Sequence, residues 1–160
     1  MEQVRTKMII PKMICEHIRL LSVSGGETCE ELLVQLGNYA IEQGLAREGF
    51  TEGLLKREQN FPTGIQAGTG IAIPHTEQLY TVVPTLIIAL LEKEVAFRPM
   101  GGGSMVPVET VFLLLLNKEE KQVEMLGSIV EFIQDEEKMT VLRTAERPEE
   151  FLSSLEMHLN

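Results

Sequence analysis

Two uninterrupted apolar runs, TLIIALL at 85–91 and VETVFLLLL at 108–116, dominate this chain of 160 residues. Each falls far short of the roughly 20 residues needed to cross a bilayer. Neither shows the polar alternation of a strand with one wet face. Both therefore read as central strands buried on two sides, and covering two faces of a sheet requires helices on both. The chain supplies them. TCEE at 28–31 has the spacing of a capping box, in which the Thr28 hydroxyl accepts the N3 amide while Glu31 reaches back. It opens a helix with Leu32, Leu33, Leu36, Ala40 and Ile41 on its apolar side and an end near Gly44. A second helix is predicted over about 50–59, with Phe50, Leu54 and Leu55 on one face. It stops before Asn60-Phe61-Pro62 because proline disfavours helical geometry in the residue before it.

Past Lys118 the period becomes helical, with Val123, Leu126, Ile129, Val130 and Ile133 recurring on one face. Asp135 is placed to cap a shorter helix over about 136–144, and Pro148 suits the first turn of a last one over 148–158. HIRLLSV at 17–23 reads as a first strand, GIAIP at 70–74 as a short buried strand after a Gly-rich linker, and VAFR at 95–98 as an edge strand before a PMGGGS loop. Residues 1–12 show no clear period and read as a loose tail. No repeat or interdomain linker interrupts the chain. The expected fold class is a single α/β domain over 1–160, a layered sandwich of a mixed sheet flanked by helices.

Composition narrows the function. Fourteen basic against twenty-four acidic residues give a formal charge of −10, which repels phosphate backbones and anionic lipid, so no nucleic acid and no membrane insertion is expected. Cys15 and Cys29 lack any paired or ligand spacing and read as free thiols of a reducing compartment; with no signal-peptide profile at the N-terminus, a cytoplasmic location is expected. His17, His75 and His158 are the three histidines. No HExxH or paired-Cys pattern provides a metal site, no GxSxG a nucleophile elbow. The glycines of GIQAGTG at 64–70 fit neither GxGxxG before a helix nor a phosphate loop with Gly-Lys-Ser/Thr.

His75 stands apart by placement. GIAI forms a rigid strand, Pro74 ends its ladder for want of an N–H, and the imidazole follows at the strand end. Histidine is neutral and nucleophilic near pH 7. On these residues alone, a reactive nucleophile and a histidine that merely caps the strand by one hydrogen bond are both open readings, and the second is the more ordinary one.

The stretch REQNFPTG at 57–64 followed by GIAIPH at 70–75 resembles the signature of enzyme IIA domains of the fructose/mannitol class, components of the bacterial phosphoenolpyruvate-dependent sugar phosphotransferase system (PTS). The resemblance extends over about residues 13–158, and FPTG at 61–64 with PHTE at 74–77 is most similar to the galactitol-type IIA members. It implies a phosphoryl carrier of the family's α/β fold. His75 is then the phosphoacceptor, loaded by the histidine phosphocarrier protein and discharged to a IIB cysteine, with the membrane IIC component reached only through IIB. It implies no metal and no nucleotide cofactor. Many members carry a second histidine near the start of the helix after the long strand, where Gln122 stands here; glutamine donates a hydrogen bond but cannot become a cation, which excludes a two-histidine relay.

For the remaining residues two readings stand side by side. Arg57 either holds phosphoryl oxygens with its planar fork or is a cation at a helix end. Gln122 either contacts phosphate or is a surface helix residue. Thr63 either bonds phosphate or His75, or shapes a turn. Glu58 reads as a structural partner rather than a catalytic acid. A shallow, exposed His75 rimmed by apolar side chains would suit two successive protein partners. The resemblance also covers an alternative: nitrogen-type and regulator-associated IIA modules, whose phosphorylation alters protein partners.

Overall fold

In a computed structural model, residues 17–24 and 26–144 are described. The predicted tail, the helix over 148–158, Cys15 and His158 lie outside them. The sequence order is β1 (His17–Val23), α1 (Cys29–Glu42), α2 (Phe50–Asn60), β2 (Gly64–Ala67), β3 (Thr69–Ala72), β4 (Thr85–Phe97), β5 (Val106–Leu115), α3 (Glu119–Ile133) and α4 (Glu136–Thr144). The five strands form one mixed sheet in the order β1-β4-β5-β3-β2. β1 runs parallel to β4, β3 runs parallel to β5, and the β4–β5 and β2–β3 pairs are antiparallel.

β4 and β5 are inner strands, as their composition requires, with β3 the third, and alternate residues go to opposite faces. Leu86, Ile88, Phe112 and Leu114 pack with Met125, Ile129, Phe132 and Ile133 of α3 and Met139 and Leu142 of α4. Ile87, Ala89, Val111 and Leu113 pack with Leu32, Leu33, Leu36 and Ala40 of α1 and Phe50 and Leu54 of α2. The sheet thus carries α1 and α2 on one face and α3 and α4 on the other. Each fully buried Leu, Ile or Phe contributes about 1.5–3 kcal/mol relative to exposure. The local signals hold as well: Thr28 Oγ1 accepts Glu31 N–H at 3.1 Å, and Asp135 Oδ1 accepts Lys138 N–H at 3.1 Å. The return bond of the box goes one residue earlier than the pattern implies, from Glu27 N–H to Glu31 Oε1 at 2.8 Å.

Three expectations change. VAF at 95–97 is no separate edge strand but the distal part of β4. It pairs with β5 through Val95–Val108 and Phe97–Val106, after a register shift past Leu90, and lies beyond the last β1 pair at Leu91. The shift lets one strand continue through the polar stretch 92–94, which hides its continuity in sequence. The supposed linker at 64–70 contains β2, joined to β3 by Gly68 at φ +80°. Two four-residue strands rich in glycine are too short to show a period. The apolar face of α3 is also rotated from the predicted one: Val123 is 67% exposed and Val130 is exposed, while Met125 and Phe132 are buried. Ile129 and Ile133 keep their predicted burial, while the two valines of the stripe turn outward.

β3 is held unusually close to β5. A Cβ on Gly70 would sit 2.0 Å from the Pro107 carbonyl oxygen, a backbone atom that cannot swing away. The ladder ends at Ala72, yet contact with β5 persists: Leu114 N–H donates to the Pro74 carbonyl at 3.1 Å. Proline lacks a donor but keeps its acceptor. Gly70→Ala should therefore cost about 3 kcal/mol by urea unfolding. Gly127→Ala, in α3 with open space around its Cβ, should instead stabilise by roughly 0.5–1 kcal/mol.

Candidate functional site

Four residues of two segments meet at the carboxyl end of β3, where ligand sites of open α/β sheets form. α2 ends at Asn60, and its last turn carries Arg57 and Glu58. Glu58 is only 6% exposed, and both of its oxygens are used. Oε2 accepts the Thr63 backbone N–H at 2.8 Å, and Oε1 accepts the Thr63 hydroxyl at 2.9 Å. That hydroxyl in turn accepts the Ile73 N–H at 3.1 Å. The Ile73 carbonyl lies 2.9 Å from His75 Nδ1. A carbonyl can only accept, so Nδ1 carries the proton of this bond, and the lone pair of the neutral ring is on Nε2. Nε2 bonds to no described residue.

His75 is itself 6% exposed, which corrects the expectation of a shallow surface histidine. The cause is the segment after it. Thr76 and Tyr80 pack against α2 at Gly53, where a Cβ would meet Thr76 Oγ1 and Tyr80 Cε2 at 3.0 Å each, and Tyr80 also fills the place of a side chain at Gly49. A glycine inside a helix is the one signal in the sequence for this packing. Burial pushes the His75 pKa below its ordinary value, the Arg57 charge adds to the depression, and the Ile73 hydrogen bond opposes both. The ring is neutral at neutral pH. Burial pushes the Glu58 carboxyl upward, against its bonds to Thr63 and the charge of Arg98.

Arg57 acts on His75 through its charge. Its guanidinium carbon lies 4.7 Å over the Phe61 ring, a cation–π contact that holds the plane of the fork. Its Nε is sealed from solvent and has no partner among the described residues, an unusual state for a buried donor. Arg57 lines a cleft of about 270 Å³ with Gly53, Lys56, Asn60, Phe61, Thr76, Glu77 and Tyr80. Sequence reasoning passed over Lys56, Asn60, Thr76 and Tyr80, since single polar residues at loop and helix positions carry no pattern. The cleft sets two cationic side chains, Lys56 and Arg57, against one carboxylate, Glu77, so its lining keeps an excess of one positive charge beside His75, a setting that favours an anion.

Thr63 does not contact His75. Its hydroxyl proton goes to Glu58, and it reaches the histidine only through Ile73. Gln122 falls in the first turn of α3. Because β3 and β5 are parallel, that turn leaves the sheet at the same end as His75; the Gln122 side chain is outside the described residues. His17 lies in β1, on the opposite edge of the sheet from β2. A larger cleft of about 710 Å³ includes Cys29, Glu58 and Arg98. The Cys29 thiol there is pushed up to about 12, chiefly by burial, and is no nucleophile at neutral pH. Among the described residues no group of three or more His, Cys, Asp or Glu could hold a metal ion, and no helix is long and apolar enough to cross a membrane.

Comparison with known proteins gives the family and the fold. The family model "Phosphoenolpyruvate-dependent sugar phosphotransferase system, EIIA 2" matches residues 15–157. The PTS system galactitol-specific EIIA component of Escherichia coli K12 is 28% identical over 97 residues, 60% of this chain; the match spans 65% of that relative's length. Among solved structures, enzyme IIAMtl in complex with phosphorylated enzyme IIBMtl from Escherichia coli superposes with a TM-score of 0.67 at 18% identity, covering 86% of this chain and 94% of that one. Nitrogen regulatory protein IIA-Ntr from Neisseria meningitidis gives 0.66 at 23% identity, covering 86% and 92%. At these identities the structural likeness is one of fold.

The depressed His75 pKa has a consequence for stability. In the unfolded chain the ring titrates near 6.5 and in the folded one lower. As pH falls below 6.5 the unfolded state takes up the proton first, so the histidine's contribution to stability is full above 6.5 and is lost toward the folded value. Glu58, shifted upward, acts with the opposite sign. Comparison with His75→Asn isolates the histidine, since the asparagine amide can still donate to Ile73. The loss of unfolding free energy between pH 7.5 and pH 5, measured by urea titration, should be smaller in the variant.

Proposed function

The chain belongs to the EIIA 2 family of the phosphoenolpyruvate-dependent sugar phosphotransferase system, and from that premise we propose that it is a phosphoryl carrier whose acceptor atom is His75 Nε2. The single observation that carries this reading is the bond from His75 Nδ1–H to the Ile73 carbonyl. It leaves the lone pair on Nε2 and supports the positive charge that develops on the ring when Nε2 attacks.

The donor is the histidine phosphocarrier protein. Nε2 attacks the phosphorus of its phosphohistidine in line, the new N–P bond forms, and the old one breaks with its electron pair returning to the donor imidazole. The transition state spreads charge over three oxygens, and positioning with electrostatic stabilisation supplies most of the rate. Arg57 is the candidate to receive those oxygens, its unpartnered Nε and the Lys56 ammonium adding positive potential. The Arg57 charge also keeps the resting ring neutral, and so nucleophilic. Gln122 contributes a neutral donor. In the second step a cysteine thiolate of a IIB subunit attacks phosphorus, and the pair returns to Nε2.

The galactitol-type relative supports galactitol or a related hexitol as the sugar served, with the membrane IIC component met only through IIB and the cycle run in the cytoplasm. The regulatory reading, control of protein partners by phosphorylation, differs in its outlet, because such a module need not discharge to a IIB cysteine.

Incubated with phosphoenolpyruvate, enzyme I and the phosphocarrier, the protein should gain one acid-labile phosphoryl group and surrender it to the cognate IIB. His75→Ala should abolish labelling while His17→Ala and His158→Ala retain it; a labelled His75→Ala protein would overturn the assignment. Arg57→Lys should slow transfer about tenfold or more, roughly 1.4 kcal/mol of barrier, because an ammonium lacks the planar fork. Gln122→Ala should cost less, since a neutral donor is weaker than a charge-assisted one.

A further inference from the structure

We infer that Glu58 is a positioning residue for His75, acting through Thr63 and Ile73 without touching the transferred group; the inference rests on His75 being the acceptor. Glu58 is among the least exposed charged side chains of the described residues, and it makes no ion pair among them. A carboxylate sealed in this way is costly unless its oxygens are satisfied. Both are satisfied by one residue, Thr63, through its N–H and its hydroxyl.

A two-oxygen acceptor does what a single acceptor cannot. It takes the one hydroxyl proton of Thr63, so that the hydroxyl turns a lone pair toward the Ile73 N–H. Residue 73 is then anchored on its amino side by Thr63, and the Pro74 carbonyl is anchored by Leu114 N–H of β5. Between these two fixed points the Ile73 carbonyl has little freedom to rotate, and Pro74 further restricts the backbone. That carbonyl is the group that receives His75 Nδ1–H and so selects the tautomer. The chain of contacts runs from the last turn of α2 to the imidazole with each donor matched to one acceptor. Glu58 has both oxygens occupied by Thr63, whereas a free carboxylate beside the phosphoryl group would repel it.

If Glu58 merely stabilised the fold, its loss would lower the melting temperature and leave the histidine ring as it was. The test is therefore made on the ring, with 15N-labelled histidine in the full chain and without any phosphoryl donor. The wild-type His75 should show the Nδ1–H tautomer at neutral pH. In Glu58→Ala and in Thr63→Val, the population of the other tautomer should rise several-fold. Single-turnover phosphoryl acceptance should slow by about tenfold to a hundredfold, the scale of a small misplacement, with the donor concentration at half-saturation little changed. Thr63→Ser, which keeps the hydroxyl, should recover most of the loss seen in Thr63→Val. Glu58→Gln keeps shape and one acceptor, and should fall between wild type and Glu58→Ala, so that a readout remains if the alanine variant does not fold.

Folded Glu58→Gln and Thr63→Val proteins with an unchanged His75 tautomer would overturn the inference, whatever their stability. So would equal slowing in Thr63→Ser and Thr63→Val. The two readings fail separately. A ring that responds in a protein that never takes up phosphate leaves the positioning and removes the carrier function. Phosphate on His75 with an indifferent ring leaves the carrier and removes the positioning.

Discussion

Ile73 donates its N–H to the Thr63 hydroxyl and receives the imidazole proton of His75 at its carbonyl, and the rest of the site is built around these two bonds. The first ties the strand end to the loop after α2; the second determines which ring nitrogen keeps its lone pair. A buried backbone donor left without a partner costs about 1–3 kcal/mol, so Thr63 is needed by the fold as well as by the site. Pro74 then carries the chain past the end of β3 while its carbonyl remains attached to β5. The same atoms thus close the sheet and present the histidine.

This arrangement exploits two kinds of rigidity. β3 is pressed against β5 at Gly70, where no side chain fits, and α2 is pressed against the segment after His75 at Gly53. His75 is 6% exposed, further buried than a carrier meeting two partners would suggest. Burial keeps the ring neutral and the Arg57 charge reinforces that state, so a nucleophilic imidazole is available without a neighbouring base. The apolar side chain of Phe61, 60% exposed, lines the cleft beside it. Phe61 has a second task, supporting the plane of the Arg57 guanidinium.

The network also places the acidic and basic groups by role. The one carboxylate near His75 that is buried, Glu58, has both oxygens turned to Thr63, while Arg57 keeps an unused donor. A buried acid with satisfied oxygens adds little repulsion toward an anion, whereas the charge of a guanidinium that lines the cleft favours one. The net charge of −10 is therefore no obstacle to a local phosphate site, because a surface excess of acid is screened within about 10 Å and the cleft beside His75 carries two cations, Lys56 and Arg57, against the one carboxylate of Glu77.

From residues alone one could read that 85–91 and 108–116 are inner strands, that Thr28 and Asp135 start helices, and that His75 stands at a strand end beside an Arg57–Gly64 stretch of familiar form. These follow from local chemistry: an apolar run needs cover on both faces, a cap needs a hydroxyl or carboxylate, a proline ends a ladder. Strand β2, the continuation of β4 through 95–97 and the buried face of α3 were not legible, because each depends on a partner distant in sequence rather than on its own pattern. The same holds within the site. That the Thr63 hydroxyl bonds to Glu58 and Ile73, that Glu58 spends both oxygens on Thr63, and that His75 is buried depend on tertiary packing. A carboxylate and a hydroxyl five positions apart have many possible partners along a chain; only the folded sheet brings one set within about 3 Å.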